Sequence, residues 1–97
     1  MKVVVSLLAE QELVEGAKFY ANRAGPQLGH SFLAEFERSV ALLQEHPLLG
    51  AAWRYATRRL PLRRFPFSIV YQLHDAELRV VAVAHQRRRP GYWRKFS

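Results

Sequence analysis

Apolar and polar positions alternate with period two in two neighbouring runs, Phe67–Leu73 and Leu78–His85, separated by His-Asp-Ala-Glu. Runs rich in β-branched and aromatic residues around a short polar break predict a β-hairpin. With its turn centred on Asp75-Ala76, Phe67, Ile69, Tyr71 and Leu73 share a face with Leu78, Val80, Ala82 and Ala84. That face is wholly apolar and needs a cover. The other face carries Ser68, Val70, Gln72, Arg79, Val81, Val83 and His85, and it is mixed. The register follows the length of the turn, because one residue more would change the cross-strand pairs.

The cover is encoded upstream with helical spacing. Ala9, Leu13, Ala17, Tyr20 and Ala24 form one apolar stripe over Leu7–Arg23, with Ser6 placed to cap it. Gly16 weakens this helix by about 1 kcal/mol relative to Ala, and close approach of another element would explain its presence. Gly25-Pro26 ends the first helix. A second, from Pro26 or Gln27 to Glu45, carries Leu28, Phe32, Phe36, Val40 and Leu43, and His46-Pro47 stops it. Val3–Val5 reads as a short buried strand, Pro47–Ala52 as a loop, and Trp53–Leu62 as one strand leading through Arg63-Arg64 into the hairpin. The predicted fold is therefore α+β, in the order β-α-α-β-β-β. A helical hairpin packs on one face of a mainly antiparallel sheet.

At 97 residues the chain has room for one core, hence a single domain over 1–97, and 49% hydrophobic content argues against disorder. No apolar run approaches the roughly 20 residues that cross a bilayer, so no membrane role is expected. Met1-Lys2 leads into a strand-like run instead of a signal peptide. Without cysteine, disulfides and thiolate zinc sites are excluded, and a cytoplasmic protein is the simplest expectation.

Charge changes the picture. Residues 1–50 hold four Lys and Arg against six Glu, a net of −2, whereas residues 51–97 hold ten Arg and one Lys against Asp75 and Glu77, a net of +9. A solubilising excess would not need to be segregated into one half. Arginine makes planar, forked contacts with phosphate or carboxylate, so an acidic partner is expected.

Arg58-Arg59-Leu60, Arg64-Phe65-Pro66-Phe67-Ser68-Ile69-Val70-Tyr71, Val80-Val81-Ala82-Val83-Ala84-His85 and Arg88-Arg89-Pro90-Gly91-Tyr92-Trp93 follow one another along the C-terminal half. In that order and at those distances they resemble the RelE/ParE superfamily, the toxins of type II toxin–antitoxin pairs, and its ParE side in particular. The resemblance implies a cytoplasmic toxin wrapped by a cognate acidic antitoxin. On the ParE side it implies a growth inhibitor of plasmid-stabilisation type that poisons DNA gyrase. On the RelE side it implies an endoribonuclease that cleaves mRNA in the ribosome.

A metal-independent ribonuclease needs a base, an acid and phosphate-binding cations close together. Arg59 and Arg64 are candidates to hold phosphate, His85 to move a proton, and Tyr92 to stack on a base or orient a phosphate. No Lys lies between Lys18 and Lys95, and no acid between Glu45 and Asp75, which departs from RelE-like sites and turns the reading away from an enzyme. A lone His at a strand end more commonly caps it through a backbone hydrogen bond. Tyr92 and Trp93 have an equally plain role in packing back on the sheet. His30, His46 and His74 have no metal-ligand spacing, and neither a metal nor another cofactor is expected. Arg58, Arg59 and Arg64, with Arg87, Arg88 and Arg89 and with Tyr92 and Trp93, are the expected contacts for the antitoxin or the target. Three readings remain: a gyrase-binding toxin first, a ribosome-dependent endoribonuclease second, a basic nucleic-acid-binding domain third.

Overall fold

In the computed structural model, which describes residues 1–96, the Val run becomes β1 (Lys2–Val5) and the two apolar stripes become α1 (Leu7–Ala24) and α2 (Pro26–Glu45). Ser6 caps α1: its Oγ accepts from the Ala9 N–H at 3.0 Å and donates to the Val81 carbonyl at 3.0 Å. Gly25, at φ 100°, separates the helices, and Pro26 starts the second. A Cβ on Gly16 would lie 2.6 Å from the Phe32 ring. Gly29 does the same from α2, where a Cβ would lie 2.7 Å from the Ala17 carbonyl oxygen of α1, so the two glycines let the helices approach closely.

The predicted strand Trp53–Leu62 is broken: β2 (Ala51–Trp53) begins inside the expected loop and takes in only Trp53, and β3 (Thr57–Pro61) follows a turn. Tyr55 and Ala56 turn the chain between them at φ 62° and 58°, and Thr57 Oγ1 closes the turn on the Arg54 carbonyl at 2.7 Å. Left-handed backbone at non-glycine residues leaves no punctuation in a sequence, so the turn was unreadable there. The order gains one strand, β-α-α-β-β-β-β. With β4 (Phe67–His74) and β5 (Glu77–His85) the sheet runs β1-β5-β4-β3-β2. β1 is parallel to β5, and the other pairs are antiparallel.

The central hairpin turns at Asp75-Ala76, and Leu73 and Tyr71 face Leu78 and Val80 as expected. Beyond them the expected face is corrected. A bulge leaves Val81 unpaired, so Ile69 pairs with Val83 and Phe67 with His85, while Ala82 and Ala84 join Val70 and Ser68 on the opposite side. One inserted residue reverses every later side chain. The bulge falls where β1 gives way to α1, with Ser6 N–H bound to the Val80 carbonyl.

Two cores result. Under the helices, Phe32 meets Tyr20, Phe65 and Phe67 at ring-centroid separations of 5.4, 5.2 and 5.0 Å, above fully buried Ile69, Tyr71, Leu78 and Val80. Tyr71 fills core as expected, and its hydroxyl donates to the Pro47 carbonyl at 2.7 Å and accepts from the Gly50 N–H at 3.0 Å. On the other face Val70 and Ala82 are sealed by Trp93, from a 3-10 helix over Tyr92–Phe96. The aromatic tail does fold back on the sheet.

Candidate interaction site

The site grows from the C-terminal end of β5. After His85 the chain turns, and Gly91, at φ 90°, reverses it across the sheet; a side chain there would run into the Tyr55 ring. That turn sets Tyr92 and Trp93 against the sheet face beside β2 and β3. Arg59 lies over Trp53 with its guanidinium carbon 3.7 Å from the ring centroid, and Arg88 lies over Tyr92 at 3.9 Å. Arg94 lies over Tyr55 at 4.1 Å. Between the first two stacks is a small concavity of ≈ 150 Å³, which His85 also lines.

The structure therefore brings together Arg59, Arg88, Tyr92 and Trp93, leaves His85 at the rim with its ring 5.1 Å from that of Phe67 on the helix side, and sends the other expected residues elsewhere. Strand alternation turns Arg58 to the helix side, where its Nη1 donates to the Gly50 carbonyl at 3.1 Å. Arg64 stacks on Phe65 and borders a shallow depression with Glu35 and Arg38 of α2. It cannot share a phosphate with Arg59, because the sheet lies between them. Arg87 and Arg89 are exposed at the turn after β5. The arginine-rich half of the sequence is thus divided over two faces, and only part of it belongs to the site.

Two groups suited to proton transfer are already engaged. His85 Nδ1 accepts from the Arg87 N–H at 3.1 Å, the strand-end bond expected of a lone His, which leaves Nε2 as the protonated nitrogen of the neutral ring. The Tyr92 hydroxyl donates a hydrogen bond to Glu12 Oε2 on α1. Burial and the adjoining carboxylate push that hydroxyl far above the usual phenol range, so it stays a donor.

Glu12 is the residue sequence reasoning missed. It sits among the helix acids, which look solvated, yet its Oε1 accepts from the Val83 N–H at 2.9 Å while Oε2 holds Tyr92. It satisfies a backbone donor on the edge of β5 that β1 is too short to reach. Desolvation raises its carboxyl pKa, although Tyr92, Val83 and nearby Arg88 all pull the other way. The only available signal was its place on the helical stripe's border, one residue before Leu13.

On the helix side of the same edge opens an apolar cleft of ≈ 470 Å³, walled by Phe19, Tyr20, Phe67 and Val83 and also lined by His85 and Arg88. Among the described residues no three His, Asp or Glu side chains converge in a way that would hold a metal ion, and no helix is long and apolar enough to cross a membrane.

Comparison with known proteins supplies the wider setting. A family model described as the ParE toxin of type II toxin–antitoxin system, parDE, matches residues 3–90. Among solved structures, one described as the chromosomal ParDE TA system from P. aeruginosa superposes with a TM-score of 0.79 at 20% sequence identity, covering 88% of this chain and 95% of that one. At that identity the likeness is one of fold. A search of curated proteins gives no match.

Proposed function

The chain belongs to the ParE toxin family of type II toxin–antitoxin systems, and from that premise we propose that it inhibits growth by binding DNA gyrase and is neutralised by a cognate acidic antitoxin. The observation that carries the reading is the state of the chemistry-bearing groups around the end of β5. His85 packs on Phe67 with its Nδ1 bonded to backbone, the Tyr92 hydroxyl is bonded to Glu12, and Arg59 and Arg88 lie over rings. Such a surface is organised to grip, since rigid aromatics and stacked arginines lose little freedom on binding. The ribonuclease reading is weaker, because Arg64 is on the far side of the sheet and the Tyr92 hydroxyl has an acceptor already.

For the antitoxin, the apolar stripe of an acidic segment suits the cleft beside α1, where Phe19, Tyr20 and Phe67 offer apolar contact, with its acids directed away from Glu12 and Glu15, which also line the cleft, and towards the arginines. Its affinity falls with rising salt if arginines dominate the contact and stays nearly flat if apolar burial does.

The test is a supercoiling assay with purified gyrase and the purified chain, run beside a ribosome-containing translation reaction. Inhibited supercoiling with intact mRNA is expected. Unaffected supercoiling together with mRNA cleavage would overturn the reading in favour of the nuclease.

A further inference from the structure

One carboxylate ties together the helix layer, the sheet edge and the tail. β1 pairs with β5 only from Glu77 to Val80, so β5 lacks a strand neighbour on that side from Val81 onward. Glu12 Oε1 stands in for the missing strand at the Val83 N–H, and Oε2 takes the Tyr92 hydroxyl. The same carboxylate is the counter-charge of Arg88, whose guanidinium carbon lies 3.9 Å from the Tyr92 ring centroid. Ring, hydroxyl and guanidinium are thus all set by one side chain of α1. Other forces on the tail are less directional. Tyr92 N–H to the Arg89 carbonyl and Arg94 N–H to the Gly91 carbonyl are local bonds, which shape the segment without placing it. Trp93 adheres to Val70 and Ala82, but apolar burial has no preferred direction, whereas a hydrogen bond does. Tyr92 lies beyond residues 3–90, the span of the family match, so membership does not account for the tie.

We propose that Glu12 is a positioning residue for growth inhibition: through the Tyr92 hydroxyl it holds Tyr92, Trp93 and Arg88 in the arrangement that the target receives, without touching the target itself. The proposal rests on the reading of the chain as a growth inhibitor that binds with this face, and it adds a helix residue to that face. The competing role is stability alone, and glutamine separates the two. In Glu12→Gln the side-chain oxygen accepts from the Val83 N–H, and the amide donates to the Tyr92 oxygen. The bond to Tyr92 is reversed and the charge beside Arg88 is gone, yet the tail keeps its place. Alanine removes the tie altogether.

The full chain carrying fluorotryptophan is followed by fluorine NMR, with the Trp93 signal assigned by Trp53→Phe, and the same variants are compared at matched expression for growth inhibition. Glu12→Ala and Tyr92→Phe should each move the Trp93 line. Each should raise the amount of protein needed for half-maximal inhibition about tenfold, the loss of one charge-assisted bond. The double variant should be no worse than either single one, because both remove the same interaction. Glu12→Gln should keep the Trp93 line and retain inhibition within about threefold. Ser6→Ala removes the cap of the same helix at a similar cost in stability and should leave inhibition unchanged. Additive losses in the double variant, an unmoved Trp93 line in Glu12→Ala, or full inhibition by Tyr92→Phe overturns the proposal. So does a Ser6→Ala loss as large as that of Glu12→Ala, or a glutamine variant that keeps the line but loses inhibition. Should Glu12→Ala fail to fold, Tyr92→Phe and Glu12→Gln decide the matter by the same criteria. Growth is read without reference to the target, so unaffected supercoiling counts against the gyrase reading alone.

Discussion

The two faces of the sheet are closed by different means. Under the helices, aromatic and aliphatic side chains from α1, α2, β4 and β5 form one continuous core around Phe32. On the other side a three-residue cluster of Val70, Ala82 and Trp93 is extended by arginines laid on Trp53, Tyr55 and Tyr92. The first face spends its surface on stability. The second keeps charge at the surface and holds it in fixed positions, which is what a recognition face requires. Glu12 joins them, reaching from α1 around the edge of β5 to the tail.

The largest effect should come from the helix-covered face. Phe32→Ala should cost about 3–5 kcal/mol in urea unfolding, the usual range for an aromatic removed from a closed core. Trp93→Ala should cost about 1–2 kcal/mol, because the tail can release without opening the sheet. It should also abolish growth inhibition. Equal stability losses would erase the contrast between the faces.

Next comes the link between them. Glu12→Ala leaves the Val83 N–H and the Tyr92 hydroxyl without their acceptor and should cost about 1–3 kcal/mol. Glu12→Gln keeps an acceptor and removes a buried charge, so its unfolding midpoint should stay close to wild type. Faster hydrogen exchange at the Val83 amide in the alanine variant alone is the accompanying signature.

A smaller effect separates Glu12 from its counterpart Glu35. Both carboxylates accept from a distant backbone N–H, Val83 at 2.9 Å and Arg63 at 2.6 Å. Glu35 also faces the Arg38 guanidinium, whose hydrogen bonds hold its pKa below the ordinary 4.5, while burial holds that of Glu12 above it. A depressed pKa contributes stability that is present above the ordinary value and lost as pH falls through the folded-state pKa. A raised pKa contributes stability that is full below the ordinary value and lost as pH rises through the folded-state pKa. Glu35→Gln should therefore be weaker than wild type at neutral pH, with the gap closing on acidification. Glu12→Gln should gain on wild type as pH rises. Urea midpoints measured across the acid range, with gaps moving in the same direction, would contradict this assignment.

The smallest change in stability, and the sharpest in function, should come from neighbouring arginines. Arg59→Ala should weaken growth inhibition at a cost of about 0.5–1 kcal/mol, the loss of one arginine stacked on Trp53 from a half-buried strand position. Arg58→Ala removes a bond to the Gly50 carbonyl and should cost about 1 kcal/mol with inhibition retained. A reversed pattern would move the recognition face to the helix side.

Much of the architecture was legible because hydrophobic period is a local property. The α1 and α2 stripes, the Ser6 cap, the Gly25-Pro26 break and the Asp75-Ala76 turn are all written within a few residues of where they act. The Tyr55-Ala56 turn was not, since two ordinary residues adopt a left-handed backbone that only the paired strands enforce. The bulge at Val81 was not either, and with it the faces of Val83, His85, Ala82 and Ala84 were exchanged.

For the site, residue type announced the chemistry but not the gathering. The sequence alone settled that the C-terminal half is rich in arginine and aromatics and that its helices need a sheet beneath them, because composition and periodicity are carried by the chain itself. Only the tertiary structure decided that Arg59 and Arg88 line one concavity while Arg58 and Arg64 turn away, and that Glu12, the sixth residue of α1, holds the tail. Such contacts depend on strand register and on which edge lacks a neighbour, and a register is set by all the strands together.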